Sequence, residues 1–556
     1  MATRIEVIQA ATADVLAIRE GKALVRLSYW EFPRTWLIRR ELKFSPKKHR
    51  FVFTIKFRVL PELTERTIAV AEAFGIGVDY EQEFPIYREF ELEIGSRDLV
   101  YITGPSGSGK SVLLRALKRE LGSLWPVADM ADVVIDHDKP IIDTIGQSVD
   151  EAIRLLSRAG LGEAFLWLRK YDELSDGQKY RYRLAKLLES QAQMWVADEF
   201  CSMLDRDTAR IVAFNVQKLA RKLGKGLLAA TTHTDLFEDL GPSVHVIKGF
   251  GDEVEVRYYP NELVKECSLM REMEFGPLPT DKSAEARAAR REALMFMKKW
   301  HYRGRRPGFK YIFVARRKDR LAGVVLISRP YAQCAGRKVV FKKGIAAYDK
   351  EYNMNTCAFC LSRIVVHPLY RGIGLGKRLV RETLNWLADK ADYVELVAVM
   401  ARYNPFAERA GMIKVCEIQP DKKLLKAVEL LEELGFDRRL LASERYTFQK
   451  LTAMSEAEID QVRSVFLRYA KTPGIMRALI PKTVVYPKEW AEGLAKAGPR
   501  ELARLIHALA SAVSPKVYLI WRSPLKPVGS CPLDELVRPE WREKLFREVG
   551  SRGAET

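Results

Sequence analysis

The sequence predicts an α/β protein with two separate cores, followed by a mainly helical region. Three observations predict it. An apolar strand, a glycine loop and a helix follow one another in "DLVYITGPSGSGKSVLLRALKREL". The same order returns far downstream in "CLSRIVVHPLYRGIGLGKRLV". From about residue 451 the apolar residues of "SEAEIDQVRSVFLRYAK" and "GPRELARLIHALASAV" recur at helical spacing. A chain of 556 residues is too long for one core, so two to four domains are expected. Each glycine loop presents backbone N–H groups at a helix N-terminus, which suits a phosphate.

Composition narrows the class. Hydrophobic content of 47% with 29% charged residues fits a globular protein. No stretch approaches the roughly 18 consecutive apolar residues of a membrane span. The start, "MATRIEVIQAATADVLAIREGK", lacks the apolar core of a signal peptide. Seven scattered cysteines, an odd number, point to a reducing, cytoplasmic setting rather than a disulfide framework. The net charge of +20 favours a polyanionic partner, most simply nucleic acid, although a basic thermophile surface would give the same balance. Aromatics interleave with cations in "RTWLIRRELKFSPKKHRFVFTIKFR" and "MKKWHYRGRRPGFKYIFVARRKDR". Aromatic and guanidinium faces stack on unpaired bases.

In the first loop, Gly104, Pro105, Ser106, Gly107, Ser108 and Gly109 form the turn, and Lys110, Ser111 and Val112 open the helix. The glycines permit a wrapped backbone. Lys110 is expected to reach the β- and γ-phosphates of a nucleotide, and Ser111 to hold Mg²⁺. Downstream, "MWVADEF" is an apolar strand ending in Asp198 and Glu199. Asp198 suits the metal shell, and Glu199 suits a water-orienting base. "GLLAATTHTDL" is a further small apolar strand, ending near His233.

These residues resemble the ABC-type ATPases over roughly residues 76–260. "LSDGQ", Leu174 to Gln178, looks like their signature motif. "SMLD", Ser202 to Asp205, looks like the D-loop, and His233 like the switch histidine. The resemblance implies ATP and Mg²⁺. It also implies a homodimer, in which Ser175, Gly177 and Gln178 of one copy contact the nucleotide held by the other. The family's glutamine loop is ambiguous here among Asp136, His137 and Gln147, and Tyr80 is the best candidate for stacking on adenine. With no apolar span and a fused second half, a soluble, non-transporter type is expected.

The second loop lacks the acidic residue that a dinucleotide-binding repeat places after its next strand. Instead "VVHPLYRGIGLGKRLV" resembles the pyrophosphate loop of GNAT-family acyltransferases, over about residues 285–420. Arg371, Gly372, Ile373, Gly374, Leu375, Gly376 and Lys377 match that loop. The resemblance implies acetyl-CoA, with the strand at Ile364, Val365 and Val366 hydrogen-bonding the pantetheine. "NPFAERAGM" resembles a later segment of the family. Ala407 stands where many members carry a tyrosine acid, so Tyr403 and Glu395 become the candidate acid and base. "KKWHYRGRRPGF" followed by "LSRIVV" is similar to the phage Mom group of base-modifying proteins. That likeness implies an acceptor pocket lined by His301, Tyr302 and Ser362; a packed helix end is the plainer reading.

Cys357-x-x-Cys360 has no second pair nearby to complete a zinc site and is read as structural. The expected boundaries are a basic β-rich extension at 1–75, the ATPase at 76–260, a linker at 261–284, the GNAT domain at 285–450 and a helical region at 451–556. The expected activity is ATP-dependent acetyl transfer to an exocyclic base amine, with RNA, tRNA above all, favoured over DNA. Two alternatives stand beside it. One is a protein or small-amine acetyltransferase with a regulatory ATPase. The other is a nucleic-acid switch with a non-catalytic GNAT module.

Overall fold

The computed structural model describes residues 12–19, 22–31, 34–43, 49–59, 63–75, 82–301, 308–331, 334–342, 354–402, 404–482 and 485–546. They divide into two compact units. The first takes in everything to Glu274 together with 316–322 and 366–375, and the second takes in the rest.

The first unit opens with an antiparallel meander of β1 (Thr12–Arg19), β2 (Lys22–Glu31), β3 (Arg34–Lys43), β4 (His49–Val59) and β5 (Gln82–Ile94). The β-rich start expected from sequence is therefore one sheet, and its last strand lies beyond residue 75. Phe51, Phe53 and Ile55 of β4 alternate inward at period two and are fully buried. They share a core with Leu113, Leu117 and Leu121 of the helix Lys110–Gly122. The meander is thus packed on the core of the next sheet rather than appended to it.

That core is a six-stranded sheet of β6 (Leu99–Thr103), β7 (Val127–Asp129), β8 (Met194–Ala197), β9 (Gly226–Thr231), β10 (Val244–Lys248) and β11 (Val254–Tyr258). The order is β11-β10-β6-β9-β8-β7. Only β11 pairs antiparallel, with β10; the others run parallel. β6, β8 and β9 are buried at every position, which explains their unbroken apolar sequences.

The second sheet has the order β12-β13-β14-β15-β16-β18-β17. Its strands are β12 (Met273–Pro277), β13 (Tyr311–Arg317), β14 (Arg320–Ser328), β15 (Ala358–Val366), β16 (Tyr393–Ala398), β17 (Ile413–Ile418) and β18 (Lys516–Arg522). Two features differ from the sequence expectation. β12 lies inside the stretch read as linker. β18 comes from the stretch read as helical, yet it sits between β16 and β17, antiparallel to both. The C-terminal region is still mainly helical: helices between Lys422 and Ala512 close around a core that includes Leu431, Phe466, Trp490 and Leu505. That bundle is inserted between two strands of one sheet, so it is not a separate tail.

Candidate functional site

Three strand ends gather the chemistry of the first unit. β6, β9 and β8 are neighbours and parallel, so the loops after their C-terminal ends open on one edge. The glycine loop follows β6, Asp198 and Glu199 follow β8, and His233 follows β9. Pro105, Ser106 and Gly107 form the exposed crest of the glycine loop. Gly104 has φ 155°, and a Cβ there would run into the Lys248 carbonyl. Val112 is buried below the loop, and its N–H bonds the Gly109 carbonyl at 3.1 Å.

Lys110 lies at the start of the helix, only 5% exposed, with Nζ donating to the Pro105 carbonyl at 2.6 Å. Burial pulls its ammonium below the ordinary lysine range, and the charges of Glu199 and Asp198 oppose that shift. Beside it the buried Ser108 hydroxyl has no hydrogen-bond partner. An orphan donor, a lysine and open amides at the N-terminus of a 13-residue helix fit a polyphosphate. Ser111 and Asp198 fit the Mg²⁺ that such a phosphate carries.

Glu199 is held in the left-handed region at φ 49°. Its N–H donates to Asp198 Oδ1 at 3.0 Å, and its carbonyl accepts from Ser202 Oγ at 2.8 Å. The N–H of Phe200 bonds the Ala230 carbonyl at 2.7 Å, and that of Cys201 bonds the Tyr180 phenol at 2.7 Å. A strained turn tied down on both sides aims an exposed carboxylate. The His233 carbonyl accepts from the Tyr101 phenol, and its N–H meets Thr231 Oγ1 at 3.3 Å.

Ser175 begins the helix Asp176–Glu189, and its N–H donates to Gln178 Oε1 at 3.0 Å. Leu174 is buried while Ser175 is exposed, so the helix start faces outward. Gly177 follows in the first turn. Asp205 caps the helix Arg206–Leu223 through the Thr208 N–H at 3.0 Å, a structural duty that the motif alone did not reveal. His137 pairs with Asp172 at 3.0 Å. Tyr80 lies outside the described residues.

In the second unit β15 pairs with β16 only at Ala358, Phe359 and Cys360. The paired positions are Tyr393, Val394 and Glu395. Beyond them the two strands part, and Ile364 and Val365 lie past the last pair. That leaves backbone groups on one edge open to a bound chain, as a pantetheine arm needs. The loop that follows β15, within the 366–375 stretch that groups with the first unit, carries Gly372 and Gly374 at φ 93° and 94°, both exposed. Ile373 and Leu375 turn inward and are buried. Arg371 Nε donates to the Val366 carbonyl at 3.2 Å. The helix Leu375–Leu387 starts here, with Gly376 and Lys377 in its first turn. Burial, then the charges of Arg381 and Arg409, pulls the Lys377 ammonium down. Three cations beside a helix N-terminus fit the phosphates of a coenzyme A.

Glu395 requires a correction. It is fully buried, and Arg337, equally buried, donates to both its oxygens at 2.7 and 2.8 Å. Tyr518 of β18 donates to Oε1 at 2.6 Å. Burial, with Glu395 beside it, pushes the Tyr518 phenol up, so it stays a donor. Protonating this carboxylate would strand Arg337 in the core, so it is an anchor and not the expected base. Sequence reading missed Arg337 and Tyr518 because both are remote along the chain. Ser362 is buried and donates to the Leu326 carbonyl at 3.1 Å. His301 ends the helix Ala284–Trp300, its N–H on the Met297 carbonyl at 3.0 Å. Tyr302 and Tyr403 lie outside the described residues.

Comparison with known proteins finds relatives of both regions. The acetyltransferase (GNAT) family model matches residues 278–412. A phosphonates import ATP-binding protein of Hyphomonas neptunium is 26% identical over 199 residues, 29% of this chain and 76% of that protein. A cytochrome c biogenesis ATP-binding export protein of Chelativorans is 29% identical over 177 residues, 27% of this chain and 85% of that protein. Among solved structures, an ATP-binding cassette dimer with ADP and Pi is 18% identical, covering 36% of this chain and 97% of its own, with a TM-score of 0.28. Among the described residues, no helix is long and apolar enough to cross a membrane. The chain joins an ABC-type ATPase region to an acetyltransferase domain of the GNAT family.

Proposed function

We propose that the chain is an ATP-dependent acetyltransferase acting on nucleic acid. It moves an acetyl group from acetyl-CoA to an exocyclic amine of a base, in RNA, tRNA above all, rather than in DNA. The observation that carries this reading is the net charge of +20 on a chain with two phosphate-type loops. Two nucleotide-type ligands do not by themselves call for such a surplus, whereas a polyanionic acceptor does.

In this reading the first unit works as a homodimer. The exposed helix start at Ser175, Gly177 and Gln178 meets the γ-phosphate held by Lys110 of the other copy. Closure clamps the nucleic acid and exposes the base. At the second site the amine nitrogen bonds to the acetyl carbon, and the carbon–sulfur bond breaks. Coenzyme A leaves as the thiol, taking up a proton equivalent to the one the amine gives up. The amine lone pair is delocalised into the base, so holding it against the carbonyl matters more than basicity. With Glu395 committed to Arg337, the candidates for the acceptor side are Tyr403, His301, Tyr302 and Ser362.

The test is mass spectrometry of nucleosides after incubation with labelled acetyl-CoA, ATP, Mg²⁺ and bulk tRNA, with DNA in parallel. A labelled nucleoside from RNA is expected. Label in neither polymer, with coenzyme A binding intact, would move the acceptor to a protein or small amine.

A further inference from the structure

Three side chains outside both sites meet at one end of the second sheet. Cys357 ends the short helix just before β15, Asp392 lies just before β16, and Cys531 in the turn after β18. β15 and β16 are parallel, so their starts lie side by side. β18 runs antiparallel to β16 and delivers the chain back to the same end. One thiol from each cysteine and one carboxylate oxygen lie within 4.8 Å of one another.

We propose that Cys357, Asp392 and Cys531 form a structural zinc-class metal site that pins the segment after β18 to the sheet. Two thiolates and a carboxylate are a donor set that selects zinc or cadmium over magnesium and calcium. Zinc–ligand lengths of about 2.0–2.3 Å put tetrahedral donors about 3.5–3.8 Å apart. The three donors, already within 4.8 Å, close on an ion by small side-chain rotations.

The surroundings fix the donors in advance. The Asp392 N–H bonds the Cys357 carbonyl at 2.8 Å, and the Ser523 N–H bonds the Asp392 carbonyl at 2.8 Å. Ser530 Oγ donates to Asp392 Oδ1 at 3.0 Å, orienting the carboxylate as an outer partner does in metal sites. Cys531 is 1% exposed and packs with Leu533, Val537 and Trp541. Its thiol lies against that of Cys357, and metal entry displaces their protons.

The site is remote from acyl transfer. The acetyl-CoA loop follows the far end of the nine-residue β15, about 30 Å along the strand. Cys360, the other half of the C-x-x-C pair, is buried and takes no part. The true partner of Cys357 is more than 150 residues away in the chain, which is why the local motif looked incomplete.

The test is metal analysis of the purified full-length chain, expressed with added zinc, against two variants. About one zinc per chain is expected, lost in Cys531→Ser and kept in Cys416→Ser, with ATP turnover confirming that the first unit is folded. Should Cys531→Ser fail to fold, cadmium titration of the metal-stripped wild type and of Asp392→Asn decides. A thiolate-to-cadmium absorbance band is expected in both, with affinity about tenfold or more weaker in Asp392→Asn. Two outcomes would overturn the site: a chain without metal whose two thiols titrate freely or form a disulfide, or metal content indifferent to Cys531.

Discussion

Glu395 decides whether the acyltransfer base lies in the core or elsewhere, and one perturbation separates the two cases. In Arg337→Met the carboxylate keeps only the Tyr518 hydrogen bond and loses its buried counter-charge. Both partners are wholly buried, so water cannot compensate. Removing one member of such a pair costs about 3–5 kcal/mol. For a domain of this size, each kcal/mol is worth about 2–4 °C, so the second unit should melt about 6–20 °C earlier. Glu395→Gln should fall in the same range, because it strands the guanidinium instead. Replacing the whole cluster, with Arg337→Met, Glu395→Leu and Tyr518→Phe together, should recover most of the loss, since no unpaired polar group remains. The assay is thermal unfolding followed through coenzyme A binding, with acetyl transfer measured at a temperature where each variant is folded. If Glu395→Gln kept its stability to within about 1 kcal/mol and yet lost acetyl transfer, the anchor argument would be refuted and the base restored.

Other outcomes follow from the geometry. Gly104→Ala drives a Cβ into the Lys248 carbonyl and should abolish ATP binding by filter assay, with coenzyme A binding intact. Gly374→Val has open space but a φ of 94°, and it should weaken coenzyme A binding by calorimetry without changing ATP turnover. Glu199→Gln keeps the turn and removes the carboxylate, so ATP should bind normally while hydrolysis falls by about a hundredfold or more. His245 is buried against Tyr101 and 2.8 Å from Thr103, and burial lowers its pKa below the ordinary 6.5. A depressed histidine favours the neutral form in the fold. Its contribution is therefore complete above pH 6.5 and is lost as pH falls below that value toward the folded pKa. Urea midpoints of the first unit should drop over that range in wild type and less so in His245→Gln.

The nucleotide site was legible in the sequence because it is local. Gly104 to Ser111 carry their own backbone geometry, and "MWVADEF" ends on its acids wherever the strand is placed. The second glycine loop was legible for the same reason. What was missed is non-local. "KVYLIWR" is an apolar run between Pro515 and Pro524, a fair strand signal, but its helical neighbours outweighed it. Missing β18 also hid Tyr518, and with it the cluster that neutralises Glu395. Cys531 was invisible as a partner of Cys357 because only the return of β18 brings them together. Asp205 was legible as a motif member, yet its capping of a helix appears only with the fold.

The most direct measurement is a competition for labelled acetyl. The full-length protein is given labelled acetyl-CoA, Mg²⁺ and equal amounts of bulk tRNA, a lysine-rich peptide and a polyamine, with and without ATP. The account predicts label in the RNA fraction, faster with ATP, and little in the other two. Label confined to peptide or polyamine and indifferent to ATP would contradict it.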